Sequence, residues 1–179
     1  MIKDAGAEYV IIGHSERRLY AGETNEIIKS KVISALKQYL NPIVCIGETL
    51  EERQADETDR VLSLQLQSVF SDLSKLQAEK IIIAYEPRWA IGTDTLPTTE
   101  EILQVRVLIR KFLTEAFDAA FAEKVAVLYG GSVKSTFLGS VSYEAGMDGV
   151  LVGRESLFPY EIVKMMSMLE EHAEVESLE

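Results

Sequence analysis

The chain has 179 residues, of which 47% are hydrophobic, with a formal net charge of −11 and a pI of about 4.7. This size and apolar content predict one ordinary domain, over residues 1–179, with a full core. The negative charge repels phosphate backbones and anionic lipid surfaces, so we expect neither a nucleic-acid nor a membrane partner. A single cysteine and two histidines exclude an internal disulfide and offer no metal-ligand spacing. We therefore expect no metal. Because the N-terminus lacks a signal-peptide profile, we also expect a cytoplasmic protein.

Short apolar strands alternate with longer segments of helical period, a pattern that predicts βα units and a parallel sheet. In chain order, strands are predicted at 9–12, 42–46, 81–85, 125–129 and 149–152. Thr98 and Glu101 form a capping box that predicts a helix start. We expect the acidic tail, residues 170–179, to fray. Four predicted helices present apolar faces: Ile28, Val32, Ala35, Leu36 and Tyr39; Leu62, Leu66, Val69, Phe70 and Leu73; Ile102, Val105, Ile109, Phe112, Leu113 and Ala116; Ile162, Val163, Met166 and Leu169.

Small or polar residues follow every predicted strand, and the carboxyl ends of parallel strands face one shared crevice in α/β folds. Glu86 ends a strand that reads as buried on both faces, and Pro87 then stops that strand. Such a carboxylate is costly unless it is used or satisfied, although a solvated turn residue explains Glu86 equally well when it is taken alone. His14 stands at another exit, before a short helix start that disfavours its cationic form.

Glycine-rich exits, such as Gly130-Gly131-Ser132, are typical of anion sites because the backbone can approach the ligand closely. A tight turn explains any one of these glycine pairs equally well. The P-loop pattern fails at Lys134, which follows Val133 rather than glycine, and no dinucleotide-binding glycine motif occurs.

Five motifs, in order along the whole chain, resemble triosephosphate isomerases: YVIIGHSERR at 9–18, CIGE at 45–48, YEPRWAIGT at 85–93, YGGSVK at 129–134 and DGVLVG at 148–153. The resemblance implies a (β/α)₈ barrel that interconverts dihydroxyacetone phosphate and glyceraldehyde 3-phosphate through an enediolate, without cofactor or metal. It also implies a triose phosphate substrate, a place in glycolysis and gluconeogenesis, and a homodimer.

The roles that the resemblance implies are those of a glutamate base and a neutral histidine electrophile under a closing loop. The base corresponds to Glu86 and the electrophile to His14. The phosphate grip corresponds to Gly92, Ser132, Gly153 and Arg154. Residues that surround the reacting pair without acting on the substrate are Ser15, Glu16, Cys45 and Glu48. The lid corresponds to Pro87, Arg88, Trp89, Ala90, Ile91, Gly92 and Thr93.

Two departures from the family pattern stand out. Arg154 replaces a second glycine, which puts a positive φ there in doubt while leaving a backbone donor. A complete barrel has about 250 residues, and the chain corresponds to strands four to eight, so we expect about five βα units and an incomplete barrel without the first-strand lysine. In the family, the carboxylate that corresponds to Glu16 pairs with that lysine, so we expect Glu16 to be unpaired and partly buried. The alternative to an active isomerase is therefore an inactive C-terminal fragment that needs a complementary chain or self-associates through open strand edges.

Overall fold

A computed structural model describes residues 2–91, 93 and 95–176, with side chains described as far as Glu171. Five parallel strands form one sheet in the order β1-β2-β3-β4-β5, so neighbours in the sequence are neighbours in the sheet. Helical segments connect successive strands, as parallel pairing requires. The strands are β1 (Tyr9–Ile12), β2 (Asn41–Ile46), β3 (Ile82–Tyr85), β4 (Val127–Tyr129) and β5 (Gly149–Val150).

The helices lie between and after these strands. Within the described residues the α-helices are α1 (Ser15–Tyr20), α2 (Asn25–Lys37), α3 (Leu50–Gln54), α4 (Thr58–Phe70), α5 (Lys75–Ala78), α6 (Thr99–Ala116), α7 (Ala119–Lys124) and α8 (Pro159–Glu176). Short 3₁₀ turns occur at Arg88–Ala90, Ser135–Phe137 and Arg154–Leu157, and a π turn at Ser140–Glu144. The predicted start of α6 is confirmed, because Thr98 accepts from the Glu101 N–H at 3.2 Å while Glu101 accepts from the Thr98 N–H at 2.7 Å.

The predicted strands are all present, with small shifts at their ends. β4 begins at Val127 rather than residue 125, because Val125 caps the end of α7 with its own N–H. β5 ends at Val150 rather than residue 152, because its partner strand ends at Tyr129, which pairs with Val150. The sheet therefore tapers towards β5.

The core lies between one face of the sheet and the helices, and most of the predicted apolar faces are buried there. Tyr39 was wrongly placed on the α2 face: it follows the helix with φ 56° and is 84% exposed. The predicted face of α8 was partly wrong: Ile162 and Leu169 pack against the core, but Val163 and Met166 are exposed while Met165 is buried. A helix turns by about 100° per residue, so this shift of one position redirects the face. The backbone of α8 is helical through Glu176, and fraying of the tail stays a prediction.

The sheet is open at both edges in the described part of the chain, since β1 pairs only with β2 and β5 only with β4. Tyr9 and Ile11 on β1 are about half exposed, at 53% and 50%. The architecture is thus an incomplete α/β barrel, in agreement with the expected five βα units. No helix of the described residues is long and apolar enough to span a bilayer.

Candidate active site

A cleft of about 770 Å³ lies at the carboxyl ends of the strands. All five strand exits meet near it, which explains why residues far apart in sequence come together. Among the predicted site residues, those that line the cleft are His14, Ser15, Glu16, Glu86, Arg88, Trp89, Ile91, Thr93, Ser132, Gly153 and Arg154. Cys45, Pro87 and Ala90 are buried beside it, and Gly92 lies outside the described residues.

Glu86 is a buried carboxylate, only 2% exposed, at the end of β3. Its Oε2 accepts a hydrogen bond of 2.9 Å from the backbone N–H of Ser15, at the first turn of α1. Its Oε1 is buried and has no hydrogen-bond partner among the described residues, although Glu86 as a residue lines the cleft. One oxygen thus holds the side chain in place, and the other makes no hydrogen bond there.

His14 faces Glu86 across the floor of the cleft. Its Nδ1 accepts from the backbone N–H of Glu16 at 3.3 Å, and an accepting nitrogen carries no proton. The proton of a neutral ring is then on Nε2, which lies 3.5 Å from Oε1 of Glu86. Together the two side chains present a carboxylate acceptor and an imidazole donor to the same point.

Two glycines make room for Glu86. A Cβ on Gly47 would lie 1.8 Å from the carbonyl oxygen of Glu86, and a Cβ on Gly130 would lie 2.9 Å from its Cγ. Any other residue at these exits would displace the carboxylate or its backbone. Gly130, which the sequence indicated as part of a possible anion site, and Gly47 therefore leave the space that Glu86 occupies.

Cys45 and Glu48 lie on the same strand exit as Gly47. The Cys45 thiol is 1% exposed, and burial followed by the neighbouring Glu86 carboxylate raises its pKa, so it stays a neutral thiol. Glu48 is fully buried and accepts from Tyr85 Oη at 3.1 Å and from the Trp89 indole N–H at 2.8 Å. Neither group is open to the cleft.

The segment after Glu86 is anchored at its start. Trp89 donates to Glu48, and the guanidinium of Arg53 stacks over its ring at 4.5 Å from the centroid. Pro87 and Pro97 are both buried and bracket the segment, whereas Thr93 between them is exposed.

Known proteins were compared with the chain on sequence. The family model described as triosephosphate isomerase matches residues 1–169. The chain belongs to the triosephosphate isomerase family. It is 45% identical over 157 residues to the triosephosphate isomerase of Alkaliphilus oremlandii, covering 88% of the chain and 63% of that relative. The triosephosphate isomerase of Citrifermentans bemidjiense is 47% identical over 157 residues, with 88% and 62% covered.

A fungal relative gives the same picture: the triosephosphate isomerase of Emericella nidulans is 46% identical over 158 residues, with 88% of the chain and 64% of the relative covered. The chain thus spans just over three fifths of the length of these relatives. Within the described residues no cluster of three or more His, Cys, Asp or Glu side chains is arranged to hold a metal ion.

The residues that the resemblance assigns to the phosphate follow β4 and β5, whereas His14 follows β1 at the other edge of the sheet. Ser132 donates to the carbonyl of Ala90 at 2.9 Å, which ties this exit to the start of the lid segment. Gly153 and Arg154 are exposed. Arg154 is absent from the described residues with positive φ, so the side chain there brings no backbone strain.

Glu16 differs from expectation. It is exposed rather than partly buried, because it stands in the first turn of α1 on the open side of the cleft. Gln65 was missed altogether: its amide accepts from the Gly47 N–H at 2.8 Å and donates to the Gly47 carbonyl at 3.1 Å. A polar residue three positions after Leu62, on the buried face of α4, was the signal that could have found it.

Proposed function

We propose that this chain carries the catalytic centre for interconversion of dihydroxyacetone phosphate and glyceraldehyde 3-phosphate, with Glu86 as the base and His14 as the electrophile. The observation that carries the proposal is the state of Glu86. It is a buried carboxylate with one oxygen fixed by Ser15 and the other unpartnered beside the imidazole. A carboxylate oxygen without a hydrogen-bond partner is free to accept a proton from carbon, as a general base must.

The proposed reaction moves protons only. Oε1 of Glu86 takes a proton from the carbon next to the substrate carbonyl, and the electron pair of that C–H bond moves into an enediolate. The Nε2–H of His14 hydrogen-bonds the oxygen on which negative charge develops and transfers its proton to that oxygen; Nε2 then takes the proton of the neighbouring hydroxyl, so the imidazole ends as it began. Glu86 returns the first proton to the neighbouring carbon while the second oxygen becomes the carbonyl, which converts ketose into aldose or the reverse. The proposal needs no cofactor, since side chains supply both the acceptor and the donor.

The substrate phosphate is proposed to bind at Ser132, Gly153 and Arg154, together with Gly92. The N–H groups at a strand exit and a cationic side chain both favour an anion. Closure of the lid, which is formed by Pro87 to Thr93, would exclude water from the enediolate. An acidic chain thus holds an anionic substrate through local donors rather than through net charge.

The setting of the reaction is part of the same proposal. We assign the chain to glycolysis and gluconeogenesis in the cytoplasm, acting on a small phosphorylated triose without nucleic-acid or membrane partners. A homodimer is proposed on the family relationship. These assignments follow from the named relatives and from the low pI.

A second candidate function has its own observation. The two sheet edges are unpaired, and Tyr9 and Ile11 on β1 are half exposed. Open parallel edges with apolar side chains favour pairing with further strands. The alternative is therefore a chain that is inactive alone and becomes active, or merely folds better, with a complementary N-terminal polypeptide or another copy of itself.

The test is an isomerase assay on the purified chain, produced in a host whose own isomerase gene is deleted so that contamination cannot contribute. The chain is assayed first by itself and then with the N-terminal segment of the Alkaliphilus oremlandii relative added. Removal of a general base costs about 10²–10⁴-fold, so we expect that loss for Glu86→Gln, with Glu115→Gln on the outer surface of α6 as the control. Equal activity of both variants would refute Glu86 as the base. Activity only with the added segment would favour the second candidate.

A further inference from the structure

Arg18, on α1, joins three parts of the fold beneath the cleft. Its Nε donates to the carbonyl of Gly13 at 2.9 Å, at the exit of β1. Its Nη2 donates to the carbonyl of Cys45 at 3.2 Å, near the exit of β2. Its Nη1 donates to the side chain of Asn25 at 2.9 Å, at the start of α2. One rigid guanidinium therefore fixes the relative positions of two strand ends and a helix.

The partners of Arg18 are neutral. Among the described residues Arg18 forms no direct ion pair, whereas the adjacent Arg17 pairs with the buried Glu23 at 2.7 Å. Burial, followed by the charge of Arg88, lowers the pKa of Arg18, yet a guanidinium stays protonated in proteins. The carboxylates of Glu86 and Glu23 lie close enough to favour the charge of Arg18, whereas the three hydrogen bonds of its guanidinium all go to neutral groups. The guanidinium therefore holds backbone and amide oxygens in place rather than neutralising a carboxylate.

The strand ends that Arg18 joins are those that carry the reacting pair. Gly13 has φ +76° and directly precedes His14, so its carbonyl sets the direction in which the imidazole leaves β1. Cys45 lies against Glu86, whose carboxylate raises the thiol pKa. A fork of N–H groups can span both carbonyls at once, which a lysine ammonium cannot do in the same geometry.

We propose that Arg18 is a positioning residue for the pair formed by His14 and Glu86, holding the exits of β1 and β2 at the spacing that aims Nε2–H of His14 into the cleft. The proposal deepens the proposed function and rests on it for its kinetic part. A misplacement of about 1 Å costs roughly 10²-fold in rate, so the kcat of Arg18→Met should fall by about that factor with KM unchanged.

The experiment uses the 179-residue chain and its two histidines, whose imidazoles each give one pair of ring signals in ¹⁵N-histidine NMR spectra. Arg18→Met removes the fork and the charge, Arg18→Lys keeps the charge, and Asn25→Ala removes one anchor of the fork. Arg110→Met is the matched control, because Arg110 also donates to a backbone carbonyl, that of Val125 at 2.6 Å, and to Asp148 at 2.7 Å. That brace joins α6 to the end of α7 and to the residue before β5, and none of its residues lines the cleft.

The His14 signal should shift in both Arg18 variants and less in Asn25→Ala, while Arg110→Met loses comparable thermal stability without moving it. If a folded Arg18→Met or Arg18→Lys protein kept the wild-type His14 signal, the positioning role would be overturned. If neither variant folds, the hydrogen-exchange rate of the Arg18 Nε–H in the wild-type protein is measured instead. Slow exchange with water supports the hydrogen bond from Arg18 to Gly13. Exchange as fast as that of the exposed Arg60 overturns the proposal. Absence of isomerase activity in the wild-type chain would count against the proposed function while leaving the NMR result valid.

Discussion

Substitution of Gly130 by alanine tests the seat of Glu86 directly. The added Cβ would lie 2.9 Å from Cγ of Glu86 and 3.5 Å from its Oε1, whereas ordinary contacts begin at 3.4 Å. The Cγ must therefore move by about half an ångström, and the carboxylate at the end of the side chain by more, on the order of 1 Å. A displacement of that size costs roughly 10²-fold in kcat. Overpacking should also lower the free energy of unfolding by about 1–3 kcal/mol.

The assay combines kcat, urea unfolding and the ¹⁵N signal of His14, which faces Glu86. Gly139→Ala is the matched control, because its Cβ would meet only Tyr143 at 3.6 Å and its φ of −58° suits alanine. We expect a shifted His14 signal and lower stability in Gly130→Ala but neither in Gly139→Ala. Wild-type kcat and an unshifted His14 signal in Gly130→Ala would refute the argument that close packing at this glycine holds the base. For a chain that is inactive alone, the NMR signal and the unfolding curve carry the test.

Three further predictions use other buried groups. Glu48→Gln weakens the anchor of the single tryptophan, Trp89, so its fluorescence should shift to longer wavelength and acrylamide should quench it more; an unchanged spectrum would contradict the anchoring role. Cys45 should resist thiol reagents at pH 8 in the folded chain, because burial and the adjacent carboxylate raise its pKa, and rapid stoichiometric labelling without unfolding would contradict this. The hydrogen bond from Lys31 is the largest cause that lowers the pKa of Glu23, so this group stabilises the fold above the ordinary carboxyl pKa of 4.5 and loses that effect as the pH falls through its lower folded value. Acid unfolding curves of Glu23→Gln should be flatter below pH 4.5 than those of wild type, and parallel curves would contradict the assignment.

Apolar periodicity was sufficient to predict the sheet. Runs of β-forming residues located all five strands to within two residues, because a strand buried on both faces is apolar throughout. The pattern could not locate the ends that depend on a partner, such as Val150, where pairing stops because β4 has ended. It also failed for Tyr39, since helical spacing continued past the last residue that the helix actually holds.

The candidate site was predictable in its members but not in its bonds. Strand exits placed His14 and Glu86 in one crevice, because parallel strands end at the same edge of the sheet. Nothing in the local sequence indicates that the amide of Ser15 would bond a carboxylate 71 residues away. The exposure of Glu16 was mispredicted for the same reason, since burial depends on which elements cover a residue and not on its neighbours in sequence.

The bonds that local sequence could not predict converge on one strand exit, that of β2. Gln65 holds Gly47 through both groups of its amide, and Arg18 holds the carbonyl of Cys45. Gly47 in turn contacts the backbone of Glu86 so closely that a methyl group does not fit. The position of the carboxylate is therefore set by polar side chains on α1 and α4 that do not line the cleft. Because buried polar contacts of this kind tolerate little movement, variants at Gln65 and Arg18 should disturb Glu86 more than substitutions of exposed residues on the rim.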